Sequence, residues 1–263
     1  METIYGNFPY NYSIETARIK CKERYLGFKV INKIPKLLFP SKEAYTLCYA
    51  YFRWFDDIID SRKLKGNDIN FIVERQKRFL SQLYKEEIPE ELSTEELFLA
   101  HLVSFDKRYN KNIRKDLETL VDTLEFDSNR RNKLLSNEEL NSYIDNNVRP
   151  YVNISLAIFN QSHVQKEGIY LTAKAGFVID YIYSLRDDIN LGYVNISKED
   201  IRNYNINLSD LNSIEIRNWI KDKLNLVKKQ LCDPQFSSLS LLPKIISNIM
   251  LMKRKNKLKR III

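Results

Sequence analysis

The chain has 263 residues, of which 44% are apolar and 12% aromatic, with a formal net charge of +8. That much apolar material excludes a disordered polymer and is enough for a sizeable core. Only six glycines and seven prolines argue against sandwiches, barrels and doubly wound sheets, which need many turns, and for long helices on short loops.

Residues 1–13 are polar and aromatic and lack the apolar core of a signal peptide. Pro35 and Pro40 bracket a short linker, after which Ser41 reads as the cap of a helix from about Lys42. Residues 44–59 are apolar nearly all round, which predicts a buried helix. More amphipathic helices are expected over 67–83, with Asn67 as cap, and over 95–104. Helices at 113–124 and 138–159 follow, the second interrupted at Pro150. After Gly168 a long apolar helix runs to residue 189; residues 192–198 read as a loop, and 212–231 and 241–253 as the last two helices. The reading is all-α, with residues 1–263 as a single domain. No stretch reaches the length of a membrane span, and neither repeats nor phosphate-loop patterns occur.

Cys21, Cys48 and Cys232 form no CxxC pair, and His101 and His163 lack ligand-spaced partners. A disulfide framework and a zinc site are therefore not expected, and a reducing cytoplasm fits. The tail from Lys253 to Arg260 holds six cations in eight residues. It reads as a solvated terminus or as a weak anchor to an anionic membrane surface. Nucleic acid is not an expected partner, because the charge comes with no recognition motif.

Chemistry concentrates in Tyr51-Phe52-Arg53-Trp54-Phe55-Asp56-Asp57-Ile58-Ile59-Asp60. On a helix Arg53, Asp56 and Asp60 share a face, with Asp57 beside them. Carboxylates among Trp54, Phe55, Ile58 and Ile59 are costly unless paired. Mg²⁺ is the natural partner, because it bridges one or two carboxylates to phosphate oxygens. A second acidic run, Tyr183-Ser184-Leu185-Arg186-Asp187-Asp188-Ile189-Asn190, ends another apolar helix, with Asp180 on the face of Asp187. Two such helices suggest two sides of one cavity with apolar walls. Trp54, Phe55, Tyr143 and Tyr183 are candidate aromatic wall residues for a cationic intermediate.

The order of these pieces resembles the squalene/phytoene synthase family of trans-prenyltransferases. The resemblance rests on residues 50–60, on Phe126-Asp127-Ser128-Asn129-Arg130-Arg131, on Tyr143, on Leu185-Arg186-Asp187-Asp188 and on Gly192-Tyr193-Val194-Asn195-Ile196-Ser197. The phrases FRWxDDxxD and GYxNI place it closer to a divergent bacterial branch. It implies an isoprenoid-synthase-type helical bundle around a central cavity and a prenyl diphosphate substrate of ten to twenty carbons. Arg53, Tyr143 and Arg186 are the implied catalytic residues, and Arg53, Trp54, Tyr183 and Arg186 the implied substrate contacts. Asp56, Asp57, Asp60, Asp187 and Asp188 are the metal-ligand candidates.

Departures from the family pattern concentrate in its second half. Leu191 stands where a second carboxylate is usual, and Asp188 and Asn190 are the candidates to replace it. Tyr183 stands for an asparagine, and Val148-Arg149, before Pro150, for a small pair that leaves room for a substrate chain. The reading is ionisation of one allylic prenyl diphosphate and transfer of its prenyl group to a non-standard acceptor. Ordinary head-to-head coupling, diphosphate hydrolysis, terpene synthesis and a non-catalytic assembly role are the alternatives.

Overall fold

The computed structural model describes residues 10–24, 41–61, 66–87, 89 and 91–232, with isolated positions at 239, 252 and 256. Ten helices and no strand occur among the described residues. They are α1 (Tyr10–Arg24), α2 (Lys42–Ile59), α3 (Gly66–Lys85), α4 (Thr94–Tyr109), α5 (Arg114–Asn129), α6 (Asn137–Ile158), α7 (Glu167–Tyr183), α8 (Leu185–Leu191), α9 (Lys198–Tyr204) and α10 (Ile214–Cys232). None is long and apolar enough to cross a membrane. The linker bracketed by Pro35 and Pro40, the helix expected at 241–253 and the basic tail lie outside the described residues.

The chain divides into two compact units, one of Met1–Ser128 with Asn153–Ser162, the other of Asn129–Val152 with His163–Ile263. In the first, α2 packs against α1 and α4, and α4 also against α1 and α3. The helix buried on all sides is α4 rather than α2: Leu97, Phe98, Leu99, Ala100, His101, Leu102 and Val103 are all buried. Its start is fixed by a capping box. Ser93 Oγ accepts from Glu96 N–H at 3.1 Å, and Glu96 accepts from Ser93 N–H at 2.9 Å. Glu96, only 2% exposed, also takes Arg75 Nε at 2.7 Å and Gln76 Nε2 at 2.9 Å. Gln76 in turn accepts from the buried Tyr51 hydroxyl at 2.9 Å. This chain of satisfied polar groups ties α2, α3 and α4 together inside an apolar core, where an unpaired member would be costly.

In the second unit α7 packs against α10, α10 against α9, and α8 continues from α7. Trp219 of α10 is fully buried, and its indole N–H donates to Asp200 at 2.9 Å, which also pairs with Lys223 at 2.8 Å. Several elements differ from the sequence expectation. Pro150 does not interrupt α6, which runs through it. Proline removes the bond to the carbonyl four residues back, but Val148 and Val152 on either side are both buried, and their burial holds the helix. The expected helix to residue 189 breaks at Ser184, whose single hydroxyl proton is shared between the Asp180 carbonyl at 3.0 Å and Asp188 at 2.8 Å. Asn67 lies within α3 and is not its cap, and α1 and α9 are helices that the periodicity did not reveal.

Candidate functional site

The last turns of α2 carry the first acidic cluster. Leu47, Tyr51, Phe55 and Ile59 form its buried stripe, as a spacing of three to four residues dictates. The opposite flank is left for Arg53, Asp56 and Asp57, and Asp60 caps the C-terminus. The flank is half-exposed, so α2 is not buried all round as its composition predicts. Trp54 and Ile58 are half-buried, Trp54 against Phe55 and Tyr51 with ring centroids 6.0 and 5.8 Å away. Arg53 bridges two carboxylates, Asp56 at 2.8 Å and Asp57 at 2.6 Å.

These carboxylates are crowded. The Asp56 carboxyl is pushed up to about 7, by burial first and then by the charge of Asp60; Arg53 opposes the rise, and Asp127 and Asp57 add to it. Asp127, near the end of α5, is buried. It lies in the stretch Phe126–Arg131 that carries part of the resemblance, which assigns it no role; a lone acid there is its one sequence signal. A carboxyl raised by burial and by three neighbouring aspartates gains from a bound cation, and such groups concentrate at functional sites. Among the described residues no group of three or more His, Cys, Asp or Glu is arranged as a ready-made metal cage. Magnesium asks for less, since one or two carboxylates suffice when waters and phosphate oxygens complete its octahedron. The donor set at the end of α2 fits that ion.

The second acidic run is built differently. Asp188, in the first turn of α8, accepts at one oxygen from Ser184 Oγ at 2.8 Å and from Asn195 Nδ2 at 3.1 Å. Asn195 accepts in turn from Arg130 Nη1 at 3.1 Å. Arg186 is exposed and donates to Asn212 at 3.0 Å. Asp187 and Asp180 are exposed, and Tyr183 is 55% exposed. After α8 the chain turns at Gly192, whose φ of +91° suits glycine. A Cβ there would come within 2.4 Å of Asn132 Oδ1. The Asn132 N–H donates to the Gly192 carbonyl at 2.7 Å, and Arg131 Nε to the Leu191 carbonyl at 2.8 Å. Residues 130–132 thus meet residues 191, 192 and 195 around α8.

Tyr143 on α6 is buried, with the Arg130 guanidinium 4.4 Å above its ring and Phe177 edge-on at 6.0 Å. Val148 is buried, but Arg149 turns to an ion pair with Asp145 at 3.5 Å and stacks on Tyr170 at 4.7 Å. The structure therefore gathers Arg53, Asp56, Asp57 and Asp60 in one cluster, to which it adds Asp127. It joins Tyr143 to Asp188 through Arg130 and Asn195, and it leaves Tyr183, Arg186 and Asp187 on the surface of their own unit.

No protein-family model matches the chain, and no curated protein matches it by sequence. Solved structures do match. The squalene synthase HpnC from Alicyclobacillus acidocaldarius aligns with a TM-score of 0.75 at 17% identity, over 96% of this chain and 94% of that one. A dehydrosqualene synthase crystallised with a ligand aligns at 0.74 and 11% identity, over 96% of both chains. The chain has the all-α isoprenoid-synthase fold of these squalene and dehydrosqualene synthases.

Proposed function

We propose that this protein is a prenyltransferase that ionises an allylic prenyl diphosphate with the help of Mg²⁺ at the end of α2. The observation that carries the reading is the crowding of Asp57, Asp60 and Asp127 on the Asp56 carboxyl, in a chain with the fold of a squalene synthase. Asp56 and Asp60 hold the metal, with Asp57 beside them. The ion supplies positive charge against the departing diphosphate. Arg53, already between two carboxylates, moves one of its fork of donors to a phosphate oxygen, where planar bidentate geometry is favoured. Trp54 offers its half-buried ring to the allylic cation. In the second unit, α8 carries further candidate diphosphate and metal ligands in Asp187, Asp188 and Arg186. The whole chain works as one domain in the cytoplasm, touching the membrane only peripherally through its basic tail.

The acceptor is not a second prenyl diphosphate. Val148 stands where the family pattern has a small residue that leaves room for a substrate chain, and it is buried. Leu191 occupies the usual place of another carboxylate. These features favour one ionised diphosphate and capture by a different nucleophile, water included. The experiment is incubation with prenyl diphosphates of ten, fifteen and twenty carbons plus Mg²⁺, with pyrophosphate release followed and products identified by mass spectrometry. A prenyl alcohol, a cyclised terpene or turnover only with an added acceptor is the expected outcome. Efficient formation of a symmetric coupled hydrocarbon or its cyclopropyl precursor returns the protein to head-to-head chemistry. No Mg²⁺-dependent pyrophosphate release with any chain length rejects the enzyme reading.

A further inference from the structure

The structure assigns to Arg130 the positioning of Asp188 and of Tyr143, an inference that rests on the proposed role of Asp188 at the diphosphate. Arg130 follows directly on α5 and is only 4% exposed. A guanidinium at that depth is costly unless its surroundings compensate the charge. Here they do so in a fixed order. Tyr143 and Tyr193 present their ring faces, with centroids 4.4 and 5.0 Å from the guanidinium carbon. Nη1 donates to Asn195 Oδ1 at 3.1 Å, and Asn195 Nδ2 donates to Asp188 Oδ2 at 3.1 Å.

The series cation, amide, carboxylate has a direction. Asn195 must turn its oxygen to the guanidinium and its NH₂ to the carboxylate; the flipped amide would set donor against donor and acceptor against acceptor. Arg130 therefore fixes the orientation of Asn195, and Asn195 with Ser184 fixes the rotamer of Asp188. The same guanidinium covers one face of Tyr143. A second cation on that face would meet like charge at close range, so Tyr143 acts by its hydroxyl or its ring edge and not as a π-wall on that side. Lysine cannot substitute, since a compact ammonium lacks the broad, delocalised guanidinium that lies over both rings and aims a fixed donor at the amide. Arg130 and Asn195, far apart in the chain, are thus the two parts of the device that sets Asp188.

The test compares Arg130→Lys, Asn195→Leu and Asp188→Asn in the full chain, with Arg114→Lys as control. Arg114 also stacks on a tyrosine, Tyr84 at 4.9 Å, but lies in the other unit. Amide hydrogen exchange over residues 184–195 is read without any ligand, and affinity for Mg²⁺ plus inorganic pyrophosphate by calorimetry. The Mg²⁺ concentration for half-maximal pyrophosphate release is read in turnover. Arg130→Lys and Asn195→Leu should each speed exchange about tenfold and raise the Mg²⁺ requirement roughly ten- to a hundredfold, as loss of a carboxylate's orienting partner does. Rate at saturating Mg²⁺ should fall less. The double variant Arg130→Lys/Asp188→Asn should need no more Mg²⁺ than Asp188→Asn alone, and Arg114→Lys should match wild type throughout. Additive losses in the double variant, or an unchanged Mg²⁺ requirement in Asn195→Leu, overturn the inference. If the wild type releases no pyrophosphate, the functional proposal fails by itself; exchange and calorimetry still decide the positioning role.

Discussion

The two acidic runs look alike in sequence and are held in opposite ways. At the end of α2, Asp56 and Asp57 share one arginine and Asp60 and Asp127 add further negative charge. At α8, Asp188 is seated in hydrogen bonds from a serine and an amide, and the amide is backed by a buried arginine. The first cluster sets carboxylates against one another, and the second has its carboxylate held by hydrogen-bond donors. A carboxylate crowded by others gains from a cation; one held by donors contributes to the fold before any ligand arrives. The two clusters are therefore expected to respond differently to metal: the α2 carboxylates gain from it, and Asp188 is already held without it.

The strongest test of that difference is charge removal at α2. Asp56→Asn and Asp60→Asn should each cut pyrophosphate release by roughly a hundredfold or more, the scale on which lost electrostatic stabilisation of a transition state is felt. Circular dichroism should show the fold intact. Wild-type turnover in both variants would remove the metal from α2. Next in size, Arg53→Lys keeps the charge and loses the fork that now spans Asp56 and Asp57, and about a tenfold loss in kcat/KM is expected. Unaltered kinetics would make Arg53 an ion-pair partner only.

Much of this contrast was legible in the sequence, and some was not. DDxxD after an apolar run marked the end of α2, because charge at that place in a helix needs an explanation. The periodicity did not show which flank of α2 stays open, since Trp54 and Ile58 read as interior on composition and are half-buried. Conversely, α4 passed for an ordinary amphipathic helix. Its buried Glu96 looks like a surface residue until Arg75, Gln76 and the Ser93 cap are seen around it. The roles of Asp127 and Arg130 were not legible, because the groups they act on stand far along the chain: Asp56, whose carboxyl Asp127 helps to raise, and Asn195, to which Arg130 donates. The break at Ser184 was readable in principle, as a serine within bonding reach of Asp180 and Asp188. The apolar pattern through Leu185 outweighed it.

Stability should separate the two runs in sign. Asp188→Asn leaves Ser184 Oγ and Asn195 Nδ2 facing a group that can no longer accept from both as an anion does, and a loss of about 1–2 kcal/mol is expected. Asp56→Asn removes a charge that its neighbours oppose, and should leave the metal-free protein as stable as wild type or more so near pH 8. Thermal unfolding of the two variants without added metal is the measurement. A fall of similar size in both would mean that Asp56 too is held by the fold, and the contrast would collapse.

The smallest effect is the pH dependence of that stability. With a native value of about 7 against an ordinary 3.8, Asp56 keeps its proton across an interval in which the unfolded chain has released it. The native state binds more protons there, so the contribution of Asp56 to stability falls as pH rises from about 4 to about 7 and is level above. Mg²⁺ binds the ionised form and must displace that proton, so its stabilising effect should be weak at pH 5 and larger at pH 8. The shift to be read is a few degrees in Tm for a chain of this size. In Asp56→Asn the difference between the two pH values should shrink, because Asp60 and Asp57 then lack the crowded neighbour. An equal Mg²⁺-induced shift at pH 5 and pH 8 in the wild type would show that the ion does not displace a proton from α2. The crowding of carboxylates there would then have to be balanced by some other cation than a metal, with Arg53 the first to examine.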